Sequence, residues 1–271
     1  MCVMDEFNVN GTRIRKFVWG DVDRSIWMIG IAISTSCFLI TVLLALCKSK
    51  IKLEQKILMQ MTMARVIKSI VEYFVSSTTF TTSSSFAECY VFTVYAHAET
   101  VLLWWMSIFT KNLYDKVIYV FHTEKHRFIV IFCMVWFSTV PLCIIYPFIV
   151  FTIYEDILVI LYEVIKCIGL LLNLVLFGRI FRVIVLAKRK NSLSDLKATL
   201  NLVDIVKISV ISFLLVTTAG FEALTSMVFE ILHMYFHYYN ANVAYVVCLV
   251  NTLQPIATCA VFCILFKKPK K

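Results

Sequence analysis

Three ionisable side chains occur within one otherwise apolar stretch, and their spacing places them on one face of a helix. Arg65, Lys68 and Glu72 follow an i, i+3, i+7 pattern, which aligns side chains along a helix. An ionisable group at membrane depth costs roughly 2.5–3.5 kcal/mol, so we expect this face to point into a helix bundle. Two interpretations stay open. Arg65 and Lys68 belong to a polar network that controls a conformational switch, or Lys68 and Glu72 neutralise each other while Arg65 extends toward the polar interface.

A second group of polar and aromatic residues is expected to line a cavity open to the outside. These residues come from the second, third and sixth apolar segments of the chain, and Lys166 joins them from the fifth. Aromatic walls with a few polar groups are typical of small-molecule sites. At least one of the adjacent Trp104 and Trp105 is expected instead to face lipid or to pack between helices. The predicted ligand-binding residues are Glu72, His97, Glu99, Trp104 and Glu222.

The chain lacks the residue spacings that enzymes and metal sites use. The sequence contains no His-Glu-x-x-His, Gly-x-Ser-x-Gly or Walker-type motif, each of which would place reactive groups together. Most of the 10 cysteines lie inside apolar runs and have neither zinc-site nor redox-motif spacing, so they are expected to act as small hydrophobic residues. We therefore predict no enzymatic activity, no metal and no cofactor.

The composition indicates the scaffold that positions these residues. Hydrophobic residues make up 61% of the 271 residues and charged residues 16%, against roughly 45–50% and about 25% in soluble domains. Such an excess would leave wide apolar surfaces exposed to water, which argues against a soluble enzyme. The net charge of +9 comes from short clusters between apolar runs and not from a basic face interleaved with aromatic residues, so no nucleic-acid partner is expected.

Apolar segments of about 20 residues can cross a bilayer, and the chain contains seven. Only helices and closed barrels satisfy the backbone in lipid, so the predicted fold is an all-α membrane protein with a seven-transmembrane helix bundle over residues 26–266. Residues 1–25 would form a short extracellular segment and residues 267–271 a basic cytoplasmic tail. The segments are Ile26–Cys47, Ile57–Val75, Cys89–Phe109, Phe128–Phe151, Ile157–Leu186, Ile205–Leu232 and Ala241–Phe266.

The distribution of charge between the segments predicts the orientation. The first, third and fifth connections and the tail are rich in Lys and Arg, whereas the second, fourth and sixth connections contain neither. Because basic loops remain in the cytoplasm, the N-terminus is expected outside the cell, in the plasma membrane. Asn10 begins an Asn-Gly-Thr glycosylation sequence on that outer segment. No cleavable signal peptide is evident, and the first apolar segment would act as an uncleaved anchor.

Several local motifs resemble the taste receptor type 2 (bitter taste receptor) family of G-protein-coupled receptors. Arg65, at the end of the stretch from residue 51 to 66, matches that family's second-helix arginine, and His97 precedes Met106-Ser107-Ile108-Phe109 as an Asn-His pair precedes Leu-Ser-x-Phe-Tyr there. The run 210–215, which contains Ser212, is similar to its sixth-helix Ser-Phe-Leu-Leu motif. Pro255 opens a stretch similar to its final helix and Lys-rich tail. The resemblance implies that Arg65, Lys68, Ser212 and Pro255 form the switch.

Other classes remain open at this point. Asn173 and Arg182 are spaced as in the fifth helix of secretin-like receptors, and Cys248-Leu249-Val250-Asn251 is similar to their seventh. Invertebrate chemoreceptor families share the same layout. A transporter or channel, and a structural or enzyme-accessory membrane protein, are further alternatives.

The predicted function is a chemosensory G-protein-coupled receptor embedded in the lipid bilayer. A small, largely apolar ligand would bind in the outer half of the bundle and shift a two-state equilibrium. The inner ends of the helices would then contact a heterotrimeric G protein. The residues predicted to face it are Arg182, Lys188, Arg189 and Lys190.

Overall fold

The computed structural model describes residues 4–9, 12–17, 24–47, 51–77, 80–81, 85–118, 128–138, 140–141, 155–189 and 241–266, together with Leu224 and Val228. Across these residues the chain is mainly helical. The helices are α1 Arg24–Leu46, α2 Leu53–Ser77, α3 Ser85–Ile118, α4 Phe128–Phe137, α5 Glu155–Arg189 and α6 Ala241–Phe266.

Two of these helices are long and apolar enough to cross a membrane, judged by length and composition. They contain the segments Ser25–Leu46 of α1 and Val164–Val183 of α5. Phe128–Phe137 and Thr252–Ile264 are apolar but shorter. Helices α2 and α3 span 25 and 34 residues, but charged side chains interrupt their apolar runs. The expectation of a helical chain is confirmed, with two candidate membrane-spanning helices among the described residues.

Contacts between consecutive helices fix their relative directions. Helices α1 and α2 are antiparallel, because Ser34 Oγ lies 3.1 Å from Ser69 Oγ while Thr41 Oγ1 lies 3.4 Å from Thr62 Oγ1. Helices α2 and α3 pack against each other and only residues 78–84 separate them, so they are antiparallel too.

Contacts between distant helices show which ones run in the same direction. Lys166 and then Asn173 of α5 contact Glu99 and then Ser107 of α3, so α3 and α5 are parallel. Helices α1 and α6 are also parallel. A Cβ atom on Gly30 would lie 3.4 Å from Cγ2 of Thr252, and seven residues further along both helices the thiols of Cys37 and Cys259 hydrogen-bond.

Helix α4 returns antiparallel to α3. The ring of Trp105 stacks on that of Phe128, and the ring of His97, earlier in α3, lies beside that of Trp136, later in α4. Among the helices described, α1, α3, α5 and α6 therefore point one way, and α2 and α4 point the other.

A small antiparallel sheet lies at the end of the bundle where α1 begins. Strands β1 (Met4–Val9) and β2 (Thr12–Phe17) pair so that Val9 lies opposite Thr12, and β3 (Phe80–Thr81), from the α2–α3 connection, pairs with β2. This short sheet is an addition to the helical architecture that the sequence predicts. The two residues that join the strands are Asn10-Gly11, a common hairpin-turn sequence.

The interior combines an apolar core with an unusual number of polar side chains. The core lies mainly between α2 and α3 and includes Ile57, Leu58, Trp105 and Phe109. Beyond Trp27, helix α1 turns mostly small and polar residues inward, whereas its large aliphatic side chains such as Leu39 and Leu43 are exposed. Small inward residues allow close helix packing. The buried face of α1 consists of Trp27, Gly30, Ser34, Cys37, Thr41 and Ala45.

Candidate functional site: a buried ion network across three helices

Four buried charged side chains form a continuous network between α2, α3 and α5. Lys68 Nζ lies 3.3 Å from Glu99 Oε1 and 3.9 Å from Glu72 Oε1, and Lys166 Nζ lies 3.4 Å from Glu99 Oε2. The four side chains are between 1% and 7% exposed. The charges alternate along the path Glu72–Lys68–Glu99–Lys166, so this set, called the ion network below, is neutral overall.

The alternation makes this much buried charge tolerable. Removing an ion from water costs several kcal/mol, and only close opposite charges offset that cost. Glu99 is central, because each of its two carboxylate oxygens faces a different lysine. Lys68 has a further favourable contact, since its Nζ lies 5.4 Å from the centre of the Tyr95 ring, within cation–π range. The ion network therefore depends on Glu99 and Lys68 more than on its two ends.

The ion network lies deep within the helices. Ser69, next to Lys68 on α2, pairs with Ser34 of α1, nine residues beyond Ser25, where the apolar segment of α1 begins. At the helical rise of 1.5 Å per residue this is about 14 Å, close to half of a hydrocarbon layer of roughly 30 Å. In a bundle that spans a membrane, ionisable groups at this level are the exception, and they mark functional positions more often than structural ones.

Arg65 lines a small cleft between α1, α2 and α6. Arg65 is 2% exposed and Glu72 is 6% exposed. The cleft offers about 10 Å³ of accessible space, roughly the room for one water molecule and far less than the roughly 300–1,000 Å³ of typical small-molecule sites. Because Glu72 belongs to both features, it connects the ion network to α1 and α6. The lining residues are Ile26, Trp27, Gly30, Arg65, Ser69, Glu72 and Thr252.

Two predicted ligand-binding residues of α3 point away from the ion network. His97 is half-buried and its ring lies 6.2 Å from that of Trp136, whose Nε1 donates to Gln60 Oε1 at 3.1 Å. Trp104 is 51% exposed, whereas Trp105 is fully buried and packs on Phe128. Adjacent helix residues differ by about 100° in direction. Trp104 and Trp105 therefore face different sides of α3, and Trp105 is the one that packs between helices.

The structure brings together some of the predicted residues and separates others. Glu72, Glu99, Arg65 and Lys68 come together, and Lys166 joins them. Pro255 is buried inside α6, and Arg182 is exposed on α5. Lys188 and Arg189 occupy the last two positions of α5. The described residues do not include Asn10, Lys190, Ser212 and Glu222.

The sequence interpretation missed an inward-facing stripe on α5. Lys166, Asn173 and Ile180 are buried, whereas most residues next to them in sequence are exposed. Their spacing of seven residues is the signal that could have revealed the stripe. Asn173 Nδ2 donates to Ser107 Oγ at 2.9 Å and to the Gly169 carbonyl oxygen at 2.8 Å. Asn173 thus provides a second polar link between α3 and α5, about two turns from Lys166.

Removing the Asn173 link should have a modest effect on stability. We expect Asn173→Ala to lower the free energy of unfolding by about 0.6 kcal/mol and by no more than about 1.7 kcal/mol, as for other interhelical hydrogen bonds in membranes. Thermal unfolding of the purified protein measures the effect. In a double-mutant cycle, Ser107→Ala should lower the free energy of unfolding little further once Asn173 has been replaced. Full additivity of the two substitutions would show that the hydrogen bond contributes nothing.

Comparisons with known proteins identify no relative. No protein-family model matches the chain, and no curated protein is significantly similar to it. Within the described ranges, no group of three or more His, Cys, Asp or Glu side chains could hold a metal ion.

Proposed function

We propose that the chain is a seven-helix chemosensory receptor of the plasma membrane, resembling bitter taste receptors, with its N-terminus outside. A small molecule binds in the outer half of the bundle, and the receptor then activates a heterotrimeric G protein. The observation that carries this proposal is the parallel direction of α5 and α6.

Because α5 and α6 are parallel, the chain between them returns from one end of the bundle to the other. Residues 190–240 must connect the end of α5 to the start of α6, at the opposite end of the bundle. The apolar run Ile205–Leu232 lies in that interval, and as a helix its 28 residues would extend about 42 Å. With this crossing and α4 completing the return between α3 and α5, the chain has seven alternating spans.

The neighbour relations of the helices support the same arrangement. Helix α6 packs against α1 and α2, α1 against α2, α2 against α3, and α3 against α5. Helices α5 and α6 are the two ends of this arrangement, and the proposed sixth span would lie between them. The sequence of this span contains Ser212 and Glu222.

The distribution of side chains supports a lipid surrounding. On α5 the inward residues Lys166 and Asn173 are polar, whereas Ile168, Leu171 and Val175 are at least half exposed. In water this arrangement would be unfavourable, because it exposes apolar side chains to solvent and buries charged ones. In lipid it is favourable, because apolar side chains face the acyl chains and ionisable groups face the bundle.

The ion network gives the proposed receptor its switch. A ligand changes a two-state equilibrium only by its differential affinity for the two states, and moving it from 1:99 to 99:1 requires about 5.5 kcal/mol. Breaking a buried ion pair changes the free energy by about 3–5 kcal/mol, which is comparable. A shift of α5 relative to α3 would alter the Glu99–Lys166 pair first, since Lys166 is the only member of the ion network on α5.

A proton-coupled transporter is the second candidate. Alternating acidic and basic groups at mid-membrane depth, as in Glu72–Lys68–Glu99–Lys166, also occur in proton relays. Reconstituted vesicles distinguish the two: a transporter acidifies the lumen under a pH gradient, and a receptor does not.

A G-protein activation assay in cells, against a panel of small bitter and odorous compounds, tests the receptor proposal. At equal surface level, Arg65→Ala should change basal or agonist-driven signalling, because Arg65 lies in the cleft that connects α1, α2 and α6. Lys111→Ala is the matched control, since it removes a cation that is 62% exposed. Unchanged signalling in the Arg65 variant would favour a purely structural arginine, and silence of the unmodified protein toward the whole panel would count against a receptor.

A further inference from the structure

Two arginines of α5 are exposed on the side of the helix that faces away from the bundle. Arg179 and Arg182 flank the buried Ile180 in sequence, but both are exposed. Arg182 lies about 200° around the helix from Ile180, on the same side as Leu171 and Val175, which are 60% and 54% exposed. Two cations therefore share the surface of α5 with large apolar side chains.

Both arginines lie at the end of the apolar segment of α5. The segment Val164–Val183 is 20 residues long, about 30 Å as a helix, which matches the thickness of a hydrocarbon layer. Arg179 and Arg182 are four residues and one residue before its end, about 6 Å and 1.5 Å along the axis. A long arginine side chain can extend over that distance to reach the headgroups.

The surroundings of the two guanidinium groups lack an acidic partner. Among the described residues, neither arginine forms an ion pair, and the next residue toward the centre of the segment is Gly178, around whose Cβ position nothing lies within 4 Å. The surface is therefore open beside the two positive charges. A guanidinium group binds phosphate oxygens through two parallel hydrogen bonds.

We propose that Arg179 and Arg182 bind the phosphate of an anionic phospholipid headgroup at the inner end of α5. The proposal rests on the membrane embedding described above, but not on receptor activity. It gives Arg182 a different role from the predicted G-protein contact, because its outward direction and its apolar neighbours place it against lipid. Charge complementarity favours an anionic lipid over a zwitterionic one, and basic residues at this level attract anionic leaflets.

Native mass spectrometry of the full-length purified protein tests this site. The protein is extracted in detergent with defined mixtures of phosphatidylserine and phosphatidylcholine, and the lipids that stay bound are counted. We expect the unmodified protein to retain phosphatidylserine. The double variant Arg179→Gln, Arg182→Gln should retain it about thirtyfold more weakly, because it loses the favourable contacts of two basic residues with the anionic lipid. The double variant Arg179→Lys, Arg182→Lys should retain an intermediate amount of phosphatidylserine, since lysine keeps the positive charge but cannot form the two parallel hydrogen bonds of a guanidinium group.

Lys111→Gln is the matched control, because it removes a strongly exposed cation that pairs with Asp115. It should retain phosphatidylserine normally, and an excess of inorganic phosphate should not displace the lipid. Thermal unfolding of each variant shows that it is folded.

Two results would overturn the proposal: equal retention of the two lipids, or unchanged retention in the glutamine double variant. If that variant retained its lipid but lost G-protein activation, the arginines would belong to the G-protein surface. Release of the protein from membranes by an alkaline wash would instead refute the membrane embedding itself.

Discussion

Glu99→Gln should lower the free energy of unfolding by about 3–5 kcal/mol, because it removes the one carboxylate that contacts both lysines. Lys68 Nζ and Lys166 Nζ lie 3.3 Å and 3.4 Å from its two oxygens. Without that negative charge, two buried cations face one another with Glu72 as the remaining carboxylate of the ion network. Thermal or denaturant unfolding of the detergent-solubilised protein measures the loss, and surface expression should fall with it.

An exposed pair of the same chemistry serves as the control. Lys111 Nζ lies 3.1 Å from Asp115 Oδ2 on α3, but the lysine side chain is 62% exposed. Exposed i, i+4 pairs contribute only about 0.3–0.5 kcal/mol, so Asp115→Asn should be nearly neutral. Equal stability of the Glu99→Gln and Asp115→Asn variants would mean that the ion network does not hold α2, α3 and α5 together.

Replacing the whole ion network separates its structural role from its functional one. The quadruple variant Lys68→Met, Glu72→Met, Glu99→Leu, Lys166→Met leaves no buried charge at these positions, and such apolar replacements are often neutral or stabilising. We expect it to regain most of the stability that Glu99→Gln loses. If the ion network is the switch, the quadruple variant should still fail to respond to an agonist.

Spacing within one helix was informative, whereas contacts between helices could not be read from it. The i, i+3, i+7 pattern predicted that Arg65, Lys68 and Glu72 share an inward face, and all three are buried. The partner of Lys68 is Glu99 of α3, at 3.3 Å, and Glu72 is more distant at 3.9 Å. That preference depends on how far α3 is shifted along α2, which the sequence of a single helix does not encode.

The rotation of an apolar helix about its axis was equally hard to predict. In a soluble protein the hydrophobic side chains define the inward face, but α3 is apolar around most of its circumference where Trp104 and Trp105 lie. The tryptophans alone could not show which of them is buried. On α5 the polar residues Lys166 and Asn173 mark the inward face, so in this chain the rarer polar side chains are the better guide.

The sheet at the N-terminal end was missed for a different reason. Asn10-Gly11-Thr12 was interpreted as a glycosylation sequence, and the same Asn-Gly also favours a two-residue hairpin. Strands β1 and β2 are short, so their residue pattern is a weak signal. The pairing with β3 links positions more than 60 residues apart in the chain. Local sequence contains no signal for that pairing.

The connection between α5 and α6 should cross the membrane once, and its two ends should lie on opposite sides. The physical reason is the parallel direction of these helices. The successive contacts Glu99–Lys166 and Ser107–Asn173 establish the direction of α5 relative to α3, and Gly30–Thr252 with Cys37–Cys259 establish that of α6 relative to α1. A short polar segment containing Asn-Gly-Thr can be inserted after Tyr238 or after Ser192, in a background in which Asn10→Gln removes the native sequence. We expect glycosylation of the first insertion and none of the second, detected as an enzymatically removable mass. As a matched readout, an epitope at each site should be accessible in intact cells only after Tyr238. The same modification state at both sites would require an even number of crossings between α5 and α6 and would exclude the seven-span receptor, whatever the assay of signalling shows.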